Sequence, residues 1–514
     1  MKNISDKTEN KITLVTQPSC LTIYRIFDTI YSFIIVERSN VMSPDNIVAK
    51  ICAAVDCIIQ TGKDYNGLFP SILHPKNGKM LMEKPAKIPG QRNGDRAHLG
   101  SNLIHDEPLL ATMNTLAETE SKPAYTEAVD QYLNHFAQNC TITESGLFPW
   151  GEHSYWHLTE ERVGCSRNPA GGAAIHDHLR QIPLWIWQKL ESFNPICIQS
   201  FADGLDYHWT EGEGLEYIRH ANIDTKEHLV RGGRSCDFPR HSGFYISDLV
   251  FAYTKDQRPE TLQQIKNYTN YWWEKRDERG LLRIESRSPK DAESFFEKNA
   301  PTQTLSLGIS LLESATLLES LQPEYADQMR QYGMVYIDGF LAAPHNLETR
   351  EFVSMCECRT NRPYGSMSAW GSVYGSGTVG STGVLCLGGW KQTKNERLME
   401  CARAIGSIYL DEKFPVDRVH TEGFKIPASD AGLVLELFAD LYDITSETKW
   451  LDGGMELAKT VMDVYFSETL PYGASAIDWY ESQMGPAFLI HGLARVALMK
   501  LHGTCALVPN YTAR

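Results

Sequence analysis

A chain of 514 residues, 42% of them hydrophobic, has ample material for a large core. Its formal net charge of −15 argues against a nucleic-acid partner but is compatible with an anionic sugar polymer held in a locally basic groove. The twelve Cys are scattered: Cys356 and Cys358 are the closest pair, no second pair completes a zinc site, and nothing reads as a disulfide framework.

From the start of the chain, LTIYRIFDTIYSFIIV (21–36) is apolar but is interrupted by Arg25 and Asp28. It is too short for a stable membrane span and lacks a small-residue cleavage site after it. Residues 1–41 therefore read as an extension, with a signal anchor as the alternative. A single folded domain is expected over 42–514, opening with SPDNIVAKICAAVDCII, where Ser43 or Asp45 caps the first helix.

A helix–turn–helix pattern then recurs at 116–136, 251–272, 318–337, 387–409 and 439–463, with a looser copy at 185–205. Each second half carries apolar residues at helical spacing, as in Leu398, Cys401, Ala402 and Ile405. Each turn holds Pro, Ser, Thr, Asn or Asp. The phrase GLFP occurs at 67–70 and 146–149 and reads as a segment re-entering the structure after an outer helix. Hairpins of this kind cannot bury both faces alone. The first and last helices supply a further hairpin, so the expectation is an all-α fold: an α/α toroid of six to seven helical hairpins with long loops gathered at one end.

Those loops hold the polar and aromatic groups: GQRNGDRAHLGSNLIHDE (90–107), WGEHSYWHL (150–158), IHDHLRQ (175–181), LDYHWTEGEG (205–214), IRHANID (218–224), DFPRHSGFY (237–245) and RTNRPYGSMSAWGSVYGSG (359–377). A metal site is one reading. His176 and His178 are two residues apart; on a helix they do not share a face, and on an extended segment they straddle Asp177. No metal and no cofactor is expected. A glycosidase needs two carboxylates, for which Glu152, Asp177, Glu211, Glu213, Asp430 and Glu481 are candidates, with helix capping explaining Asp430 and Glu481. Elimination from a uronic acid needs a base, an acid and a group that quiets the carboxylate. PRHSGFY supplies Arg240, His241 and Tyr245, with His241 and Tyr245 one turn apart on a helix. A neighbouring Arg240 would lower the Tyr245 phenol and make it a better base.

EHSYW at 152–156 is similar to the Asn-His-Ser-Tyr-Trp segment of α/α-barrel alginate lyases. The resemblance implies that His153 lies beside the substrate carboxylate, and that Arg240 and Tyr245 match the Arg and Tyr of those enzymes. Glu152 stands where Asn is expected. More broadly, KWLDGG (449–454) and DWYESQMGPAFLIHGLARVAL (478–498) resemble the six-hairpin α/α-barrel superfamily, which includes uronyl hydrolases, other glycosidases and sugar 2-epimerases. The expectation is a lyase that cleaves an acidic polysaccharide or oligosaccharide by metal-independent β-elimination. Tyr245, His153, His241 and Arg240 would be catalytic. Glu152, Trp150, Trp156, His176, His178, His208, Trp209, Arg362, Tyr364 and Trp370 would bind substrate. A two-carboxylate hydrolase and a non-catalytic helical scaffold are the alternatives.

Overall fold

The computed structural model describes residues 42–168, 173–211, 215–230, 236–286, 298–371, 377–421 and 423–512. The expected extension at 1–41 and the candidate Glu213 lie outside the described residues.

Among the described residues, fourteen α-helices follow one another. α1 (Pro44–Gly62) stands first. Six hairpins follow: α2 (Leu103–Thr119) with α3 (Ala124–His135), α4 (Leu184–Phe193) with α5 (Pro195–Gly204), α6 (Pro239–Asp256) with α7 (Pro259–Trp273), α8 (Pro301–Leu318) with α9 (Pro323–Ala342), α10 (Val379–Thr393) with α11 (Glu396–Asp411), and α12 (Ala428–Thr445) with α13 (Thr448–Tyr465). α14 (Pro486–His502) comes last.

Two kinds of helix alternate. α11 buries a single stripe, including Leu398, Cys401, Ala402, Ile405 and Tyr409, as an outer helix does. α6, α8, α12 and α14 are buried almost all round, which suits an inner layer. The inner helices adjoin in the order α6, α8, α10, α12, α14, α2. α4 joins this ring through Trp187, whose Nε1 donates to Asp248 Oδ1 on α6 at 3.1 Å. α14 also packs against α1, so the first and last helices form the seventh hairpin that the sequence predicts. The fold is an all-α, α/α toroid. Its inner helices approach closely: a Cβ on Gly432 of α12 would lie 2.4 Å from the Phe488 backbone of α14.

Short strands gather where the inner helices begin. After β1 (Ile72–Leu73), β2 (Gly100–Ser101), β3 (Ser154–His157) and β4 (Arg162–Cys165) form one sheet, and β5 (Ile175–His176) pairs with β6 (Ala221–Asn222). β2 leads directly into α2, and Pro239, Pro301 and Pro486 open α6, α8 and α14. Proline at the first helical position has no N–H to lose and a preset φ, so each extended segment converts sharply into a helix. Both GLFP phrases bury their Leu and Phe, at Leu68, Phe69, Leu147 and Phe148. The loop end of the toroid is thus the N-terminal end of its inner helices. Among the described residues, no helix is long and apolar enough to cross a membrane.

Candidate functional site

The site forms where the turn before β3 meets β5. Gly151 has φ +102°, and a Cβ there would fall 1.8 Å from the Asp177 carbonyl oxygen. Only glycine lets the two segments touch. The contact is completed by the Glu152 N–H, which donates to Asp177 Oδ1 at 2.8 Å. Asp177 is fully buried, and its other oxygen, Oδ2, lies 3.7 Å from His220 Nε2.

Beside this pair stands His153. Its Nδ1 lies 2.9 Å from the Gly94 carbonyl oxygen and 3.3 Å from Asp95 Oδ1. Its Nε2 lies 3.4 Å from Glu152 Oε2. Burial opposes the charged imidazole, but the bond to Asp95 and the charges of Asp177 and Glu152 outweigh it, and the pKa is raised. Arg219 Nη1 lies 3.6 Å from Glu152 Oε2. Four atoms, Glu152 Oε2, His153 Nε2, Asp177 Oδ2 and His220 Nε2, are buried without a hydrogen-bond partner. Their residues offer ligand atoms that all lie within 4.8 Å of one another.

α6 begins nearby. The guanidinium groups of Arg219 and Arg240 both pack on Phe238, with centroid distances of 4.8 and 5.3 Å. His241 stacks on Phe244 and touches Phe238, and both of its ring nitrogens lack hydrogen-bond partners. Burial, then Arg240 and Arg219, hold its pKa well below the ordinary histidine value.

Other expected residues are placed differently. Tyr245 is fully buried among His208, His178, Tyr217 and Tyr268, and its hydroxyl reaches the Arg219 carbonyl at 3.4 Å and adjoins the Tyr217 hydroxyl and the His178 backbone. The expected lowering of its pKa does not occur: burial, then the charge of Asp177, pushes the phenol well above its ordinary value. His176 and His178 point away from Asp177 because side chains alternate along an extended segment. Trp150 Nε1 donates to His176 Nε2 at 3.0 Å, His176 Nδ1 meets His208 Nε2 at 2.8 Å, and His208 Nδ1 reaches the Ile218 carbonyl at 2.9 Å. His178 lies 3.2 Å from Asp248 Oδ2. Burial lowers His178 to about 3 and His208 to about 4, so these are neutral core groups.

Three of the four expected tryptophan platforms are packed against other aromatic rings, and the fourth is buried. Trp150 meets Phe136, Phe148, Trp187 and Phe201, Trp209 meets Tyr268, and Trp156 is buried on β3. Trp370 meets Tyr409 and Phe414 at one wall of a separate cavity of about 770 Å³, with Arg350, Asp411, Lys413 and Arg418 on other walls. Arg362 and Tyr364 are exposed on the hairpin of the strands Val353–Glu357 and Pro363–Ser366, with Arg362 paired to Glu357 at 2.7 Å. Glu481 stands at the N-cap of the short 3-10 turn Ser482–Met484 but its side chain makes no cap bond; it takes a buried two-point bond from Arg96, at 2.5 and 2.9 Å. Asp430 sits in the first turn of α12 and accepts the Gly371 N–H at 3.0 Å.

Three residues of the cluster were not singled out from sequence: Asp95, Arg219 and His220. Each lies in a loop segment whose composition drew attention, in GQRNGDRAHLG and IRHANID.

No protein-family model and no curated relative matches the sequence. Among solved structures, a glycoside hydrolase family 76 mannosidase from Bacteroides thetaiotaomicron is similar at 13% identity, with a TM-score of 0.41, over 89% of this chain and 99% of that one. A cellobiose 2-epimerase from Bacillus thermoamylovorans is similar at 10% identity, with a TM-score of 0.45, over 87% and 99%. An unsaturated glucuronyl hydrolase specific for heparin is similar at 12% identity, with a TM-score of 0.40, over 77% and 98%. Overlays this distant assign no chemistry to the chain, so the functional reading rests on the side chains.

Proposed function

We propose that the protein is a carbohydrate-active enzyme that cleaves a uronic-acid polymer by β-elimination. The observation that carries this reading is the gathering of two guanidinium groups, Arg219 and Arg240, on Phe238, beside buried imidazole and carboxylate atoms with no hydrogen-bond partner. Planar guanidinium groups suit a sugar carboxylate and would make the adjacent C5–H more acidic. His241, in the first turn of α6, is the proposed proton acceptor, because both of its ring nitrogens are unpartnered in the same region. Tyr245 becomes a positioning residue that holds the Arg219 backbone.

One observation favours a second reading, retaining hydrolysis. Glu152 and Asp177 offer oxygens within 4.8 Å of each other, near the roughly 5 Å that a retaining pair of carboxyl groups uses. Product chemistry separates the two. A panel of mannuronate, guluronate, glucuronate and galacturonate polymers is to be incubated with the protein and followed by ultraviolet absorbance and by new reducing ends. Elimination produces a conjugated C4–C5 double bond and raises both signals. Reducing ends without absorbance would replace elimination by hydrolysis. The His241→Ala variant is expected to lose about 10²–10⁴-fold in rate.

A further inference from the structure

We infer that Glu152, His153, Asp177 and His220 form a binding site for one divalent transition-metal ion, zinc being the best-matched probe. This departs from the metal-free expectation and rests on three observations.

The first is convergence. The four residues come from three separate loops, yet their ligand atoms lie within 4.8 Å of one another. A tetrahedral ion with bonds of about 2.1 Å separates its ligands by about 3.4 Å. The His153–Glu152 contact is 3.4 Å and the His220–Asp177 contact is 3.7 Å, so two edges of the tetrahedron are already present. The remaining edges need to close by at most about 1.4 Å, a small side-chain movement for an ion with bonds of this length.

The second is lack of hydrogen bonding. Glu152 Oε2, His153 Nε2, Asp177 Oδ2 and His220 Nε2 are all buried and all without a hydrogen-bond partner. Leaving one such atom unsatisfied costs about 1–3 kcal/mol, and carboxylates cost more. Four in one place, two of them carboxylate oxygens, point to a ligand that satisfies them together. Two imidazoles with two carboxylates suit zinc or a similar first-row ion better than calcium or magnesium, which prefer oxygen alone.

The third is the orientation of the supporting groups. Metal-binding histidines usually pass their other ring N–H to a carbonyl or carboxylate. His153 does so with Nδ1, toward the Gly94 carbonyl and Asp95. Asp177 is likewise fixed by one oxygen, which accepts the Glu152 N–H, leaving the other directed at the cluster. Arg219 adjoins Glu152 at 3.6 Å from outside. Two carboxylates balance a divalent ion, so a loaded site would no longer oppose an anionic sugar as Glu152 alone does. The metal site stands whether or not the substrate is a uronate.

The test uses the full chain, stripped with a chelator and titrated with Zn²⁺ alone by calorimetry, with bound metal counted by mass spectrometry. One zinc per chain is expected. Co²⁺ loading should give the intense visible absorption of a four-coordinate ion carrying imidazole and carboxylate. Glu152→Gln and His220→Gln should each weaken zinc binding by about 100-fold or more, since even outer contacts of a metal site are worth about 10–100-fold. His220 is the gentler change because its side chain is 24% exposed. Binding of less than one zinc per chain, a cobalt spectrum of the hydrated ion, or unchanged zinc affinity in both variants overturns the site. None of these readouts involves a sugar. Zinc bound with no double bond formed removes only the elimination reading, and elimination by a chain that fails to bind zinc removes only the metal site.

Discussion

Two clusters of histidines lie back to back around residues 150–178, and they differ in kind. On the inner side, Trp150, His176 and His208 pass hydrogen bonds in series to the Ile218 carbonyl, within a packed aromatic core. On the outer side, Glu152, His153, Asp177 and His220 face one another, each with one buried atom that has no hydrogen-bond partner. Residue type does not distinguish them. The backbone course does: His176 and His178 flank Asp177 on an extended segment and so point away from it, while the turn at Gly151, with φ +102°, separates Trp150 from Glu152 and His153. A satisfied cluster holds the fold, and an unsatisfied one waits for a ligand.

The sharpest way to break that contrast is to truncate one member from each side. Trp150→Ala removes a fully buried ring from the inner cluster and is expected to cost about 3–5 kcal/mol of stability. His220→Gln, on the outer side, is expected to cost under about 1 kcal/mol in the chelated protein. Denaturant titrations of both variants measure the difference. Equal losses would mean that the outer cluster is also a core element.

Gly151→Ala attacks the joint between the clusters. The added Cβ meets a backbone oxygen at 1.8 Å and sits at φ +102°, so both segments must shift. A loss of about 3 kcal/mol is expected, together with loss of zinc binding, read by melting and by calorimetry. Retained zinc affinity would show that the close contact at this turn does not set the outer cluster.

A buried acid elsewhere extends the contrast between satisfied and costly groups. Asp106 accepts the Tyr132 hydroxyl at 2.9 Å, yet burial raises its pKa to about 7 from 3.8. A folded pKa above the unfolded one favours the protonated form. Its stabilising effect is therefore complete below about pH 4 and is lost as pH rises through about 7. The linkage has a ceiling of about 4 kcal/mol, from about 1.4 kcal/mol per unit. Asp106→Asn should match the native protein near pH 4 and exceed it at pH 8, by roughly half that ceiling. Parallel stability curves at the two pH values would show that Asp106 is charged without penalty.

Much of the ring was legible from sequence because inner and outer helices carry different periodicities. The spacing of Leu398, Cys401, Ala402 and Ile405 marks an outer stripe, and the pairing of the first and last helices follows from counting hairpins. The site was legible only in part. Glu152, His153 and Asp177 stood out by composition. Asp95, Arg219 and His220 did not, because loops have no period to say which side chain turns inward, and their partners are distant in sequence. Trp150 was misplaced for the same reason: an aromatic residue in a polar segment reads as a platform until Phe136, Phe148 and Phe201 close around it.

The smallest expected effect is the most discriminating for the chemistry. Tyr245→Phe removes a hydroxyl that reaches the Arg219 carbonyl at a marginal 3.4 Å. A bond of that kind is worth about 1 kcal/mol or less, so kcat/KM should fall less than tenfold. Because Arg219 is proposed to hold the sugar carboxylate, the change should fall on KM and leave kcat near its native value. A loss of about 10²–10⁴-fold in kcat would instead make Tyr245 the proton-transfer group that the likeness to alginate lyases implies. His241 would then be a packing residue of α6. Steady-state kinetics on the polymer that gives ultraviolet-absorbing products decides between the two, since both phenol and imidazole lie on the same helix, one turn apart.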